Sequence, residues 1–207
     1  MSETMHRGLR LALASLLLVA LLAQLAIGMS RSSLTVANFL SFFTVLSNGA
    51  AVVMLTLHAA KPDRGSSPTF AIYRGAVTLY MTVTGLIHVV LTAPVATEVG
   101  ISEPWIDWSI HVVGPIAVFV DWILYPPPTR MPRHAILIWL VFPAAYLGYS
   151  LIRGAVLGWY PYPILDPSDA GYTLVAIWSV VGLLVTVVLG FAYLWWSNRR
   201  QPAAGPA

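Results

Sequence analysis

The sequence predicts an all-α, polytopic membrane bundle of six transmembrane helices, on three observations. Hydrophobic residues make up 58% of the chain and charged residues only 9%, where a soluble domain carries roughly a quarter charged residues. The apolar residues are gathered into runs near the roughly 20 residues that a helix needs to cross a bilayer. The basic residues fall at alternate ends of those runs. At 207 residues the chain has room for about six spans, short loops and no sizeable soluble domain. Residues 1–200 are therefore read as one six-span domain, and the Pro/Ala/Gly stretch 201–207 as a disordered tail.

Span 1 is expected from Leu9 to Ile27, after Arg7 and Arg10. A charged start and an apolar middle also describe a cleaved signal peptide. This run is longer than a signal core and no small-x-small site closes it, so it is read as a retained anchor. Span 2 is expected from Val36 to His58 and span 3 from Phe70 to Leu91, the latter with Tyr80, Thr84 and His88 on one helical stripe. Span 4 begins at Pro104 and ends at Pro126-Pro127-Pro128, which cannot continue a helix. Span 5 runs from Ala135 to Arg153 and span 6 from Tyr172 to Trp196. Trp195-Trp196 followed by Arg199-Arg200 has the look of an interfacial belt and a basic stop. Between spans 5 and 6, the segment from Gly158 to Pro167 is too rich in proline for helix and too aromatic for a solvated loop. It reads as either an interfacial anchor or a lid.

Orientation follows from the charges. Arg7, Arg10, Lys61, Arg64, Arg74, Arg130, Arg133, Arg199 and Arg200 share one side, and of the 11 Lys and Arg only Arg31 and Arg153 do not. Counting basic residues then puts both termini in the cytoplasm. Topology thus accounts for the net charge of +3, and no nucleic-acid partner is implied. The absence of cysteine excludes a thiolate nucleophile, a disulfide framework and cysteine-ligated metal.

Ionisable groups in hydrocarbon cost roughly 2.5–3.5 kcal/mol on insertion scales and face a partner or a cavity. Span 4 alone carries Asp107, His111 and Asp121, with Asp107 and His111 four residues apart on one helical face. In the orientation above, Thr44 lies roughly 12 Å below the start of span 2 and His111 roughly 9 Å below the start of span 4, at 1.5 Å per residue. Asn48 sits one turn below Thr44. His88 arrives on span 3, and Arg153 closes span 5. Thr44, Asn48, His88, Asp107, His111 and Arg153 are therefore expected in one layer near the outer face. Asp121 stays apart, near the inner end, where Arg74, Arg130 or Arg133 can neutralise it. Each has a plainer reading: Thr44 can bond the carbonyl of Leu40, and a buried histidine can simply pack.

The layer permits nucleophilic chemistry. A hydroxyl nucleophile needs a neighbouring base, and histidine supplies one near neutral pH. Asp107 can hold the other imidazole nitrogen. Asn48 or backbone donors can bind an oxyanion. Spacing alone does not demand acyl transfer. Soluble-hydrolase and phosphate-loop motifs are missing.

Phe42-Phe43-Thr44-Val45-Leu46-Ser47-Asn48 in span 2, His111-Val112-Val113-Gly114-Pro115 followed by Asp121 in span 4, and Tyr160-Pro161-Tyr162-Pro163 in the fifth loop resemble the androgen-induced protein/ADTRP family and its bacterial relatives. The resemblance extends over most of the chain and rests on the order and span placement of short motifs. It implies a multi-pass hydrolase of fatty acid esters of hydroxy fatty acids, with Thr44 as nucleophile and His111 as base. It also implies membrane lipids and a lipid ester as partners, no cofactor or metal, and a bacterial inner membrane location. Two other readings compete. One is a non-catalytic lipid-binding or transport protein that holds a carboxylate through His88, His111 and Arg153. The other is a haem or metal protein using His88 and His111, for which no paired histidine spacing recurs. The sequence carries no mark of an oligomeric state.

Overall fold

In hydrocarbon a backbone has no partner but itself, so each crossing closes its hydrogen bonds within a helix. The computed structural model describes residues 3–92, 103–128 and 130–200, and among these there is no strand. Six segments are long and apolar enough to span a membrane: Glu3–Ser30, Phe43–Ala60, Pro68–Val90, Pro104–Leu124, Ala135–Leu157 and Gly171–Arg199. The six expected spans are all present. The expected disordered tail, 201–207, lies outside the described residues.

In chain order the helices are α1 (Glu3–Ser30), α2 (Val36–Phe39), α3 (Phe43–Ala60), α4 (Pro68–Ile87), α5 (Pro104–Trp108), α6 (Gly114–Leu124), α7 (Ala135–Leu157) and α8 (Pro167–Arg199). A π-helical turn, His88–Thr92, extends α4, and a second, Ser109–Val113, joins α5 to α6 into one crossing. The second expected span is shorter than its hydropathy suggests. Val36–Phe39 forms a separate turn of helix, and the crossing proper begins at Phe43.

Helix α4 is the most buried crossing and α8 the least. Two apolar clusters meet on α4. Val77 and Met81 join Leu17, Leu21, Ala51, Met54 and Leu55 from α1 and α3. Leu79, Tyr80 and Val83 join Trp122, Trp139 and Tyr193 from α6, α7 and α8. Gly75 sets the approach of α7, because any Cβ there would collide with the Trp139 ring. Trp139 Nε1 donates to Ile72 O at 2.8 Å and Tyr80 OH donates to Trp139 O at 3.0 Å, which locks the pair.

The start of α1 and the end of α8 lie at the same end of the bundle. His6 Nε2 and the Tyr125 hydroxyl are 2.7 Å apart, Arg7 Nε donates to Ala59 O at 2.9 Å, and Asn198 bonds both the N–H and the carbonyl of Met131 at 2.9 Å. Here Asp121 bonds Arg10 at 2.9 Å and Arg74 at 2.7 Å. Of the three arginines expected beside it, only Arg74 serves. Arg10, from α1, takes the second place. The triad ties α1, α4 and α6 together.

Removing one member of a buried ion cluster leaves charge uncompensated and costs about 3–5 kcal/mol, whereas replacing the set by apolar residues is often neutral. Asp121→Ala should therefore destabilise the protein by about that amount, while a triple change of Asp121, Arg10 and Arg74 to leucine or methionine should recover most of it. Unfolding midpoints of purified protein in detergent measure both.

Candidate active site

The site begins at the break between α2 and α3. Ser41 Oγ donates to Ala37 O at 2.7 Å, a side-chain bond that competes with helix continuation. The Tyr146 hydroxyl of α7 donates to Ser41 O at 2.8 Å and accepts the N–H of Phe43 at 3.2 Å, so one hydroxyl serves both sides of the break. The N-cap of α3, Phe42, offers no side-chain bond. The first-turn N–H groups, which have no partner inside the helix, go to tyrosines instead. Thr44 N–H donates to the Tyr162 hydroxyl at 3.3 Å.

Thr44 thus stands in the first turn of α3, 8% exposed. Its Oγ1 lies 3.3 Å from His111 Nε2 and 3.4 Å from the Tyr162 hydroxyl. No bond from Thr44 to the Leu40 carbonyl is formed among the described residues. Its branched Cβ restricts χ1, which fixes where the hydroxyl points.

His111 lies on the π-helical turn Ser109–Val113, and Gly114-Pro115 explains that turn. Proline has no N–H and clashes with the carbonyl four residues back, here that of His111. The chain answers by widening one turn, with Gly114 N–H bonding Ser109 O. The next bond in that register would run from Ile110 O to Pro115, which has nothing to donate. Asn48 supplies the missing donor: its Nδ2 bonds Ile110 O at 3.1 Å and Thr44 O at 2.9 Å. Asn48 was expected as an oxyanion donor. Its amide hydrogens are instead committed to two carbonyls, and it ties the Thr44 helix to the His111 turn. Gly85 of α4 lets that turn lie close, since a Cβ there would be 3.1 Å from Pro115 Cβ and 3.3 Å from His111 O.

Asp107, one helical turn before His111, bonds His111 Nδ1 at 2.8 Å. A carboxylate at Nδ1 accepts a hydrogen bond from Nδ1–H, which selects the tautomer whose Nε2 lone pair faces Thr44. The other carboxylate oxygen lies 3.4 Å from His88 Nε2, and the two imidazoles stack at 4.2 Å with 9° between their planes. His88, Asp107 and His111 each offer a ligand atom within 4.8 Å of the others. Lone pairs of imidazole lie in the ring plane, however, so parallel rings aim theirs side by side and not at one ion. A metal would also have to displace the Asp107–His111 bond. Rings stacked at this distance leave no room for a porphyrin between them.

Arg153 does not join the cluster. Its Nη2 donates to Asn38 Oδ1 at 2.6 Å and its guanidinium lies 4.6 Å over the Trp159 ring. Its visible task is to hold α2 against the start of the Gly158–Pro167 segment. That segment folds over the site and delivers Tyr162, whose reach to Thr44 no local sequence signal carries. The described cavity, about 480 Å³, lies elsewhere: it opens between α1 and α6 at the end holding the chain termini. Its polar groups are paired with one another, His6 with Tyr125 and Arg10 with Asp121.

Of the six residues expected in one layer, the structure gathers Thr44, His111, Asp107, His88 and Asn48, and sets Arg153 apart. Comparison with protein-family models, with curated proteins and with solved structures returns no match.

An unpaired buried carbonyl costs about 1–3 kcal/mol. Asn48→Ala should lower stability by about that much through Ile110 O, and Asn48→Asp should not restore it, because a carboxylate offers no donor. Thermal unfolding of the two variants in detergent decides.

Proposed function

We propose that the chain is an intramembrane hydrolase of lipid esters, with Thr44 as nucleophile, His111 as general base and Asp107 as the residue that orients the base. The observation that carries this reading is the linked pair of contacts, Thr44 Oγ1 to His111 Nε2 at 3.3 Å and His111 Nδ1 to Asp107 at 2.8 Å. Hydroxyl, imidazole and carboxylate stand in the order that acyl-transfer enzymes on unrelated folds use.

The steps follow from those atoms. Thr44 Oγ1 attacks the ester carbonyl carbon while its proton passes to His111 Nε2, and the carbonyl electron pair moves onto oxygen. Asp107 stabilises the imidazolium that results. Collapse of the tetrahedral carbon breaks the bond to the leaving alcohol, which takes the proton from His111. An acyl group is left on Thr44. Water then gives a proton to His111 and attacks that acyl carbon, releasing the fatty acid and returning the proton to Thr44.

The rim supports a lipid substrate. Val89, Val90, Trp108 and Val113 are exposed beside the two histidine turns, so an acyl chain in the bilayer can lie against the site without crossing water. Fatty acid esters of hydroxy fatty acids are the narrower class that the sequence resemblance implies. The location follows from charge: nine of the 11 Lys and Arg fall at the end that holds the chain termini or in loops reaching it. The termini are then cytoplasmic and the catalytic cluster is extracytoplasmic; a bacterial inner membrane is what the sequence resemblance implies.

Thr44→Ala and His111→Ala should each abolish turnover of a long-chain ester, and Asp107→Asn should lower kcat by on the order of 10⁴, with unfolding midpoints near wild type. Full turnover by Thr44→Ala refutes the assignment, and tight binding with no product would mark a binding protein instead. Because the chain has no cysteine, topology can be read without background. Ser30→Cys should react with an impermeant maleimide on intact cells, and Glu3→Cys only after permeabilisation.

A further inference from the structure

A tetrahedral intermediate needs a donor for its oxyanion, and neither Asn48 nor Arg153 is placed to supply it. We propose that Tyr162, carried to the site on the Gly158–Pro167 segment, donates its phenolic O–H to the oxyanion and so completes the catalytic group. This rests on Thr44 being the nucleophile.

Elimination and geometry agree. Around Thr44, Ser47 Oγ donates to Phe43 O at 2.8 Å, the Tyr146 hydroxyl donates to Ser41 O, and the Asn48 amide serves Thr44 O and Ile110 O. Among the described residues no backbone carbonyl takes the Tyr162 proton, and of the hydroxyls at this spot it is the one that lies against Thr44 Oγ1. It stands 3.4 Å from Thr44 Oγ1, within reach of an oxygen bonded to the same tetrahedral carbon. Its own oxygen accepts the Thr44 N–H at 3.3 Å, a bond that polarises the O–H and strengthens it as a donor. That N–H belongs to the first turn of an 18-residue helix, whose positive end favours developing negative charge. In the resting site the Tyr162 O–H can donate its hydrogen bond to Thr44 Oγ1. On attack that hydrogen bond shifts to the new oxyanion as Oγ1 becomes an ester-like oxygen, and the phenol keeps its proton. Desolvation holds the Tyr162 phenol above its ordinary value, so it stays protonated through the neutral range.

The segment is built to hold the ring still. Gly158, at φ 65°, ends α7 in the left-handed conformation that glycine adopts freely. Gly154 lets the Tyr160 ring lie on α7, where any Cβ would collide with it. Pro161 and Pro163 fix φ on both sides of Tyr162. Phe42 meets the Tyr162 ring edge-on at 5.7 Å and the Trp159 ring at 5.8 Å. Asp166 caps α8 by accepting from Ser168 N at 2.9 Å, which anchors the far end of the segment.

The test uses the full-length protein in detergent with a p-nitrophenyl ester of a medium-chain fatty acid. Tyr162→Phe should lower kcat by roughly 10²–10³, the usual loss for one oxyanion donor, with KM within about threefold and an unfolding midpoint lowered only by the loss of the Thr44 N–H bond. Thr44→Ala is measured beside it. If Thr44→Ala is inactive while Tyr162→Phe keeps wild-type kcat, the role of Tyr162 is overturned and the nucleophile stands. If Thr44→Ala keeps turnover, the hydrolase reading itself falls and this proposal with it. Should Tyr162→Phe fail to fold, 3,5-difluorotyrosine at position 162 decides. It keeps the ring's shape and ionises at lower pH, so kcat should gain a falling alkaline limb that wild type lacks. A profile that superimposes on wild type overturns the proposal.

Discussion

The contact on which the site depends is the bond from the Asn48 amide to the Ile110 carbonyl. It exists because Pro115 has no hydrogen to give. In a membrane interior no water takes up an orphaned carbonyl, and each such group costs several kcal/mol. A neighbouring crossing therefore has to supply the donor, and that need fixes how α3 meets the Ser109–Val113 turn. Once Asn48 reaches Ile110, Thr44 one turn above it and His111 one residue on are brought face to face. The Thr44–His111 distance is set by a backbone requirement of a different residue.

One crossing carries two carboxylates with opposite characters. Asp121 lies between two guanidiniums, which do not give up their protons in proteins, so that cluster is a fixed clamp. Asp107 lies between two imidazoles, side chains that can both give and take a proton. Proton traffic is open only to the second cluster. The fold thus separates a static charge network, where α1, α4 and α6 are tied, from a labile one at the other end of the same helix run. Perturbing the first should act on stability, and perturbing the second on the proposed chemistry.

The spans were legible because hydrocarbon punishes every polar backbone group, which makes hydropathy a near-direct record of where helices run. The gathering of Thr44, Asp107, His111 and His88 was legible too, from helical spacing and depth. The break after Phe39 was not. Val36 to His58 reads as one apolar helix, and it is divided by Ser41 together with a hydroxyl more than a hundred residues away. The bonds that Asn48 makes were hidden for a related reason: its amide answers a vacancy that arises only once Pro115 widens the turn. The Gly114-Pro115 pair after His111 was the one signal that could have shown this. Arg10 as partner of Asp121, Arg153 as a brace for α2, and Tyr162 as partner of Thr44 all depend on tertiary contacts between segments that sequence spacing does not relate.

A covalent mechanism makes two demands that conflict inside a membrane. Acylation needs a lipid ester held among apolar groups, and deacylation needs water at the same carbon. Thr44 is 8% exposed, while the His111 and Asp107 side chains are 17% and 23% exposed. Thr44, the proposed nucleophile, is the more enclosed of the three, and His111 and Asp107 are the more accessible. Desolvation around Thr44 strengthens each electrostatic contact made there, and deacylation on the proposed mechanism needs water to reach His111 from the end of the crossing. A site at mid-bilayer would form the acyl group and hold it. A site in open solvent would leave the hydroxyl hydrated and the ester out of reach. The first turn of α3, at the end of a crossing and beneath the Gly158–Pro167 segment, meets both demands, which is a physical reason for the nucleophile to stand on a helix terminus and not within a span.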